Sequence, residues 1–167
     1  MNLVDKISSY NIVTNLIPGV VELESLRATD LPLVSSKDLP TWLVLAYILG
    51  LLSSRVGSLI AGPAIRKFLR PKQNSYKDFI DACRIDQKIE ILQETNNGYR
   101  TFIGCCICYF LITALFYAME MLGLDNRTKV AIGVAVAMAL FTFSYIKQLR
   151  FISDRVNIVS RDFKSTI

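Results

Sequence analysis

Three long apolar runs alternate with charged segments along the chain. They cover residues 42–61, 102–122 and 130–146. Each run approaches the roughly 20 residues that a helix needs to cross the hydrocarbon core of a bilayer. Apolar residues make up 52% of the chain, and the mean hydropathy is positive. The pattern predicts an all-α membrane protein in which most of the chain belongs to one transmembrane helical bundle.

A shorter apolar run, residues 12–21, precedes these three. Pro18 interrupts it and Glu22 follows it, so hydropathy alone is compatible with a re-entrant or interfacial segment as well as with a span. A span is favoured because it leaves residues 30–40, which are poor in Lys and Arg, on the outer side. Neighbouring helices can satisfy the carbonyl that Pro18 frees. The predicted fold is a four-helix transmembrane bundle.

Lys and Arg concentrate in two segments. Eight of them lie between residues 62 and 101, and five lie in the tail, residues 147–167. Short loops rich in Lys and Arg stay cytoplasmic, so both segments and the N-terminus are predicted to lie in the cytoplasm. Residues 102–146 then form a helical hairpin with its turn, 123–128, outside. The net charge of +5 is interpreted as an asymmetry across the membrane, and no direct contact with nucleic acid is expected.

Two amphipathic segments are predicted on the cytoplasmic side. The first is a helix within 71–100, for which Ser75 is a predicted N-cap and which is expected to loosen at 96–98. The bundle therefore comprises residues 1–146 with this helix, and a helical tail comprises 147–167. A heptad seam leaves the last span and is predicted to join copies, bind a partner or pack on the first helix. After Tyr145 its positions are Leu149, Ile152, Val156, Val159 and Phe163.

Small residues recur along the first long run and just beyond it. Their positions are Gly50, Ser54, Gly57, Ser58 and Gly62. Small side chains let two helix backbones approach closely, so this stripe is predicted to be a packing or oligomer interface, within the chain or between copies. The last run carries a similar series, Ala131, Ala135 and Ala139. Close packing is predicted there too.

Three ionisable residues lie in or beside the apolar runs: Glu22, Glu24 and Arg55. Ionisable groups at membrane depth usually face the bundle interior or water. Either both acids mark a solvated helix end, or Glu22 lines a polar cavity or pairs with Arg55. Glu24 and Arg27 are three residues apart and are predicted to pair. Arg55 is interpreted either as an interfacial anchor among the membrane lipids or as a gating or lipid-binding residue.

Residues for enzyme chemistry are sparse. The chain has no His, no Gly-rich phosphate loop and no strong metal-ligand spacing. No catalytic residue, cofactor or metal is therefore predicted, and the protein is not expected to be an enzyme. Cys105 and Cys108 form a C-x-x-C motif inside an apolar run and are interpreted as packing residues rather than as redox groups or metal ligands.

Several short strings are distributed over most of the chain: SSYN (8–11), NLIPG (15–19), SRVGSL (54–59), YKDF (76–79), DQKIE (86–90) and NNGYRT (96–101). They resemble a family of small bacterial four-span membrane proteins, and within it the membrane subunits of Kiwa antiphage defence systems. The resemblance implies a homo-oligomer, expected to be a tetramer, in the bacterial inner membrane. It also implies that the protein binds a soluble, DNA-binding cytoplasmic subunit and responds to phage at the envelope. Glu22 and Glu24 depart from the more apolar first span of such proteins.

Two functions from different classes are compatible with these features. The first is a membrane sensor and scaffold that holds a soluble partner, and the second is a pore-forming effector that depolarises the membrane. A pore should show a polar stripe along a span, whereas the last two runs contain only scattered polar residues such as Thr113, Thr142 and Ser144. The sensor and scaffold is therefore favoured. A transporter is disfavoured because internal repeats are not visible.

Overall fold

A computed structural model describes residues 12–29, 38–71, 75–86 and 88–165. At Val13, Val159 and residues 161–165 it describes the backbone alone. The string at 8–11, most of the predicted outer stretch 30–40, and the side chains of Val159 and Phe163 lie outside the described residues. The described residues are helical throughout apart from turns and short connections, without strands. The predicted all-α class is confirmed.

Six α-helices follow one another in the described ranges: α1 (Ile17–Arg27), α2 (Leu39–Val56), α3 (Gly62–Leu69), α4 (Tyr76–Ile85), α5 (Lys88–Met121) and α6 (Asn126–Ser165). A π-helical turn, Ile12–Leu16, leads into α1, and a second, Gly57–Ala61, joins α2 to α3 without a break.

Three of these helical segments are long and apolar enough to cross a membrane, as the long apolar runs predict. They are Leu39–Leu69, Lys88–Met121 and Asn126–Ile158. The N-terminal π turn and α1 contain 5 and 11 residues. Their combined length is about 24 Å, which is less than the roughly 30 Å of a hydrocarbon core. A fourth span is therefore not among the helices of sufficient length in the described ranges.

The predicted hairpin between the last two spans is present. Gly123 ends α5 in the left-handed region, with φ at 65°, which glycine adopts without steric cost. Asp125 then caps α6, because its carboxylate accepts hydrogen bonds from the Arg127 amide at 3.1 Å and from the Thr128 hydroxyl at 2.5 Å. The bond from Thr128 lowers the pKa of Asp125, so the cap stays ionised at neutral pH. The connection is short, as expected for antiparallel neighbours.

The segment 71–100 differs from its prediction. Ser75 caps α4 as predicted, accepting a hydrogen bond from the Asp78 amide at 3.1 Å. The helix then ends at Ile85, because Asp86 is extended and its side chain accepts from the Lys88 amide at 2.9 Å, just where α5 begins. The predicted loosening at 96–98 is wrong, since α5 passes through this segment without a break. A glycine inside a helix costs only about 1 kcal/mol, which the long helix tolerates.

The tightest packing joins α1, α2 and α5. Its buried apolar centre consists of Leu23, Leu26, Ala46 and Phe116. Backbones cross so closely that a Cβ added to Gly19 would lie 1.8 Å from the Ala46 carbonyl oxygen. α1 runs antiparallel to α2, and α6 lies to one side of this three-helix unit.

Candidate functional site

Glu22 is buried where α1, α2 and α5 meet. Its side chain is 0% exposed, and its Oε2 accepts a hydrogen bond from the Ser53 hydroxyl. The other carboxyl oxygen is buried without a hydrogen-bond partner. The interpretation of Glu22 as part of a solvated helix end is therefore wrong. Pairing with Arg55 is also wrong, because residues two apart on a helix point about 200° apart and Ser53 occupies the face of α2 that reaches Glu22.

Two thiols complete the surroundings of the Glu22 carboxyl. Cys105 and Cys108 on α5 are buried and lie beside it. Cys105 also donates a hydrogen bond to the Pro18 carbonyl oxygen at 3.4 Å, which ties α5 to α1. Among the described residues, no group of three His, Cys, Asp or Glu side chains is placed to hold a metal ion. The thiols of the C-x-x-C motif lie beside a buried acid, a position that their apolar sequence context did not reveal.

Glu24 lies at the exposed end of α1 and behaves as a surface acid. It accepts hydrogen bonds from Trp42 Nε1 at 2.8 Å and from Arg27 Nη1 at 3.3 Å. The predicted pair of Glu24 and Arg27 is confirmed. Of the two acids, only Glu22 faces the interior, and carboxyl groups buried in this way are rare and costly inside a membrane protein.

The first part of the small-residue stripe packs against other segments of the same chain. A Cβ on Gly50 would lie 1.7 Å from the carbonyl oxygen of Asn15, and one on Gly57 would lie 2.4 Å from that of Arg100. Such positions accept only glycine unless a backbone moves. The structure thus places α1 and α5, rather than empty surface, on this part of α2.

The rest of the stripe has looser surroundings. Ser58 accepts hydrogen bonds from Lys147 Nζ through its carbonyl oxygen at 2.5 Å and its hydroxyl at 2.9 Å. Ser54 is half-buried, and a Cβ on Gly62 would find its nearest neighbour at 3.4 Å. The contact of Ser58 with Lys147 connects this part of the stripe to α6.

α6 contacts the other helices near both ends of its span, and a cavity separates it from them in between. At its start Lys129 Nζ lies 2.5 Å from Glu120 Oε1 and 5.4 Å from the centroid of the Phe116 ring, and at the other end Lys147 bonds to Ser58. Between these ties, an apolar cavity of about 330 Å³ separates α6 from α1, α2 and α5. Only 11% of the most apolar part of α6 is buried within the chain, against 28% for α2 with α3 and 22% for α5.

The face of α6 that points away from the bundle carries an uncovered seam. In the tail, Leu149, Ile152 and Val156 are 46%, 52% and 56% exposed. The same alternating spacing continues backwards into the span, which the sequence prediction did not include. We call the whole exposed series the outer seam; it consists of Ala131, Ala135, Met138, Thr142, Tyr145, Leu149, Ile152 and Val156.

The tail of α6 contacts α4 through the opposite side. The ring centroids of Tyr76 and Phe151 lie 6.2 Å apart, and Phe151 is not a seam residue. A groove lined by α4, the start of α5 and the tail runs beside this contact, with Arg84, Glu90 and Arg155 among its residues. The tail therefore packs on α4 and still leaves the outer seam exposed.

Comparisons with protein-family models, curated proteins and solved structures found no match to this chain. The two features that ordinary packing does not explain are the Glu22 carboxyl inside the three-helix unit and the outer seam of α6.

Proposed function

We propose that the protein is the membrane-embedded sensor and scaffold subunit of a bacterial antiphage defence complex. In this proposal, four helices cross the inner membrane with both termini in the cytoplasm, several copies assemble through α6, and the assembly holds a soluble cytoplasmic subunit. The observation that carries the proposal is the outer seam, an exposed face that runs from the span of α6 into its tail.

The composition of the outer seam supports self-association. Its residues alternate at spacings of three and four, the pattern of helices that wrap around one another. In the span, Ala131 and Ala135 permit the close backbone approach of helix pairs in lipid. In the tail, each apolar side chain that becomes buried contributes about 1.5–3 kcal/mol. A second copy of α6 fits both halves, because a soluble protein cannot reach the half within the membrane.

The position of α1 supports a fourth span. Asn15 meets Gly50 at one end of the pair, and Glu24 meets Trp42 at the other, so α1 runs beside the first half of α2 at the same depth. One oxygen of the buried Glu22 carboxyl has its hydrogen-bond partner inside the bundle, and ionisable groups at membrane depth usually face the bundle interior. The distribution of Lys and Arg supports a cytoplasmic N-terminus.

The proposed docking region for the soluble subunit consists of α4, the start of α5 and the tail of α6. α4 and the tail meet at the contact of Tyr76 with Phe151, and all three elements line the adjacent groove with charged side chains. α6 continues from the span into this region without interruption, so a bound partner is connected directly to the membrane. The resemblance to KwaA, the membrane subunit of the Kiwa system, favours a tetramer and a DNA-binding partner.

Native mass spectrometry of the protein, co-expressed with the product of the adjacent gene and extracted in a mild detergent, tests the proposal. We expect a defined homo-oligomer that carries the soluble subunit. A bare oligomer would favour the pore-forming alternative, and conductance recordings in planar bilayers would then test it. A monomer under conditions that preserve the fold would contradict both.

A further inference from the structure

Four cationic side chains converge around the π turn Gly57–Ala61. We call them the basic cluster; they are Arg55, Arg66, Arg100 and Lys147. Lys147 is fixed by its two hydrogen bonds to Ser58, and the positive charges of the three arginines all act on it. The cluster draws on four helices, because Arg55 on α2 and Arg66 on α3 flank the turn, while Arg100 lies on α5 and Lys147 on α6. It is therefore a product of the fold and not a run of charge in the sequence.

The side chains of the cluster are close together. From the position that a Cβ on Gly62 would occupy, Arg100 Cδ lies at 3.6 Å and Arg66 Nη1 at 4.0 Å. Arg55 is half-buried, and its Nε is buried without a hydrogen-bond partner. Within the described ranges, no carboxylate forms an ion pair with Arg55, Arg66 or Lys147. Arg55, Arg66 and Lys147 carry like charges, which repel one another at a partly buried site, so an anion bound there would stabilise this end of the bundle.

The apolar cavity beside α6 ends near the cluster. Val56, which lines the cavity, follows Arg55 directly in the chain. On α6 the cavity-lining Leu140 precedes Lys147 by two helical turns, about 10 Å. A ligand that spans both features has an anionic group at one end and a hydrocarbon chain at the other.

We propose that the basic cluster binds the phosphate of an anionic phospholipid and that one acyl chain of this lipid occupies the cavity between α6 and the other helices. Guanidinium groups recognise phosphate through paired hydrogen bonds, and the Lys147 ammonium adds a point charge. Basic pockets between transmembrane helices are suited to anionic headgroups. The lipid links α6 to the three-helix unit where few side chains do so. This site is independent of the partner and of the subunit count.

Native mass spectrometry and thermal unfolding of the detergent-purified protein test the site. The added probes are phosphatidylglycerol, phosphatidylcholine and inorganic phosphate. We expect phosphatidylglycerol to remain bound and to raise the Tm, and the other two to do neither. Equal retention of the two lipids, or an equal rise in Tm with inorganic phosphate alone, would overturn the assignment of a phospholipid.

Two double variants separate the cluster from general surface charge. Arg66→Gln with Lys147→Gln is expected to weaken phosphatidylglycerol binding about tenfold or more, because two cations of the proposed phosphate site are lost. Lys67→Gln with Arg150→Gln removes the same charge from exposed positions on the same two helices and should bind as the wild type does. If both double variants lose phosphatidylglycerol binding equally, the basic cluster is not the binding site. If the first double variant does not fold, Arg66→Gln alone changes an exposed side chain and is expected to show a smaller loss; no loss would overturn the proposal.

Discussion

α5 and α6 form one hairpin, yet they pack in opposite ways. On α5, a Cβ on Gly104 would lie 2.1 Å from the Ser53 carbonyl oxygen and 2.7 Å from the Gly57 amide nitrogen. On α6, a Cβ on Gly133 would meet nothing within 4 Å. Small residues occur in both helices, but only α5 uses its glycine for contact inside the chain. A small side chain permits a close approach without selecting the neighbour, so unused small residues mark the surface that another molecule can approach.

The two helices also differ in how they are held. α5 is bound to α1 and α2 by interlocked backbones and by the polar contacts around Glu22. Within its span α6 has two lysine contacts separated by a cavity, and its tail contacts α4 through Phe151. A smaller share of α6 than of α5 is therefore buried within the chain.

The largest effect is expected at the outer seam. Ile152→Asp with Val156→Asp should convert the proposed oligomer to protomers in mild detergent, because two apolar side chains worth about 1.5–3 kcal/mol each are replaced by charges. Size-exclusion chromatography with light scattering measures the result. Arg150→Gln with Asn157→Asp makes the same change in charge on α6 and should leave the oligomer intact. An intact oligomer in the seam variant would show that the outer seam is not the interface between copies.

The second largest effect is expected at Gly104 on α5, in contrast to Gly133 on α6. Gly104→Ala should lower the free energy of unfolding by about 3 kcal/mol, the upper end for an overpacked core, because the methyl group must displace backbone atoms. Gly133→Ala is the matched control on α6 and should stay within about 0.5 kcal/mol of the wild type. Thermal unfolding followed by circular dichroism compares them. Equal Tm values would mean that the two helices are packed alike.

A smaller loss of stability is expected when the buried Glu22 carboxyl loses its partner. Ser53→Ala should destabilise the protein by about 2 kcal/mol, since Glu22 then loses the hydrogen bond to its buried Oε2. The neighbouring variant Ser54→Ala is the control, because Ser54 is only half-buried and does not reach the acid. Thermal unfolding should show a clearly lower stability for Ser53→Ala than for Ser54→Ala. A neutral Ser53→Ala would show that Glu22 finds another partner.

The smallest effect is expected at the ion pair of Lys129 with Glu120, at the start of α6. Glu120→Gln should cost about 1 kcal/mol, because Glu120 is partly exposed and only Lys129 is buried. Asp154→Asn removes one negative charge from an exposed position on α6 and should change little. The same unfolding assay measures both variants. A loss of stability in Glu120→Gln larger than that in Gly104→Ala would contradict the view that α5 is packed more closely than α6.

The sequence predicts features that depend on local pattern. Hydropathy locates the three long spans, and spacing and residue type predict the cap at Ser75 and the pair of Glu24 with Arg27. These are interactions within one or two helical turns, where geometry follows from sequence separation.

The sequence does not predict which helix faces which. An apolar helix looks alike on all sides, so nothing in the pattern assigned Ser53, Cys105 and Cys108 to the surroundings of Glu22. The continuation of the outer seam into the span was visible as a spacing, but alanine and threonine there did not stand out from a generally apolar run. The break at Asp86 depends on one side-chain bond to the Lys88 amide, which competes with helix continuation over a fraction of a turn.

The length of α6 has a mechanical consequence. Its 40 residues extend about 60 Å, twice the roughly 30 Å of the hydrocarbon core. In the proposed topology, the half of α6 outside the lipid is a stiff extension of the half within it, so a change of tilt by ~10° would displace its tip by ~5 Å along the membrane plane. Under that proposal, thinning of the bilayer would be converted, by geometry alone, into a movement of the tail and of a partner bound to it.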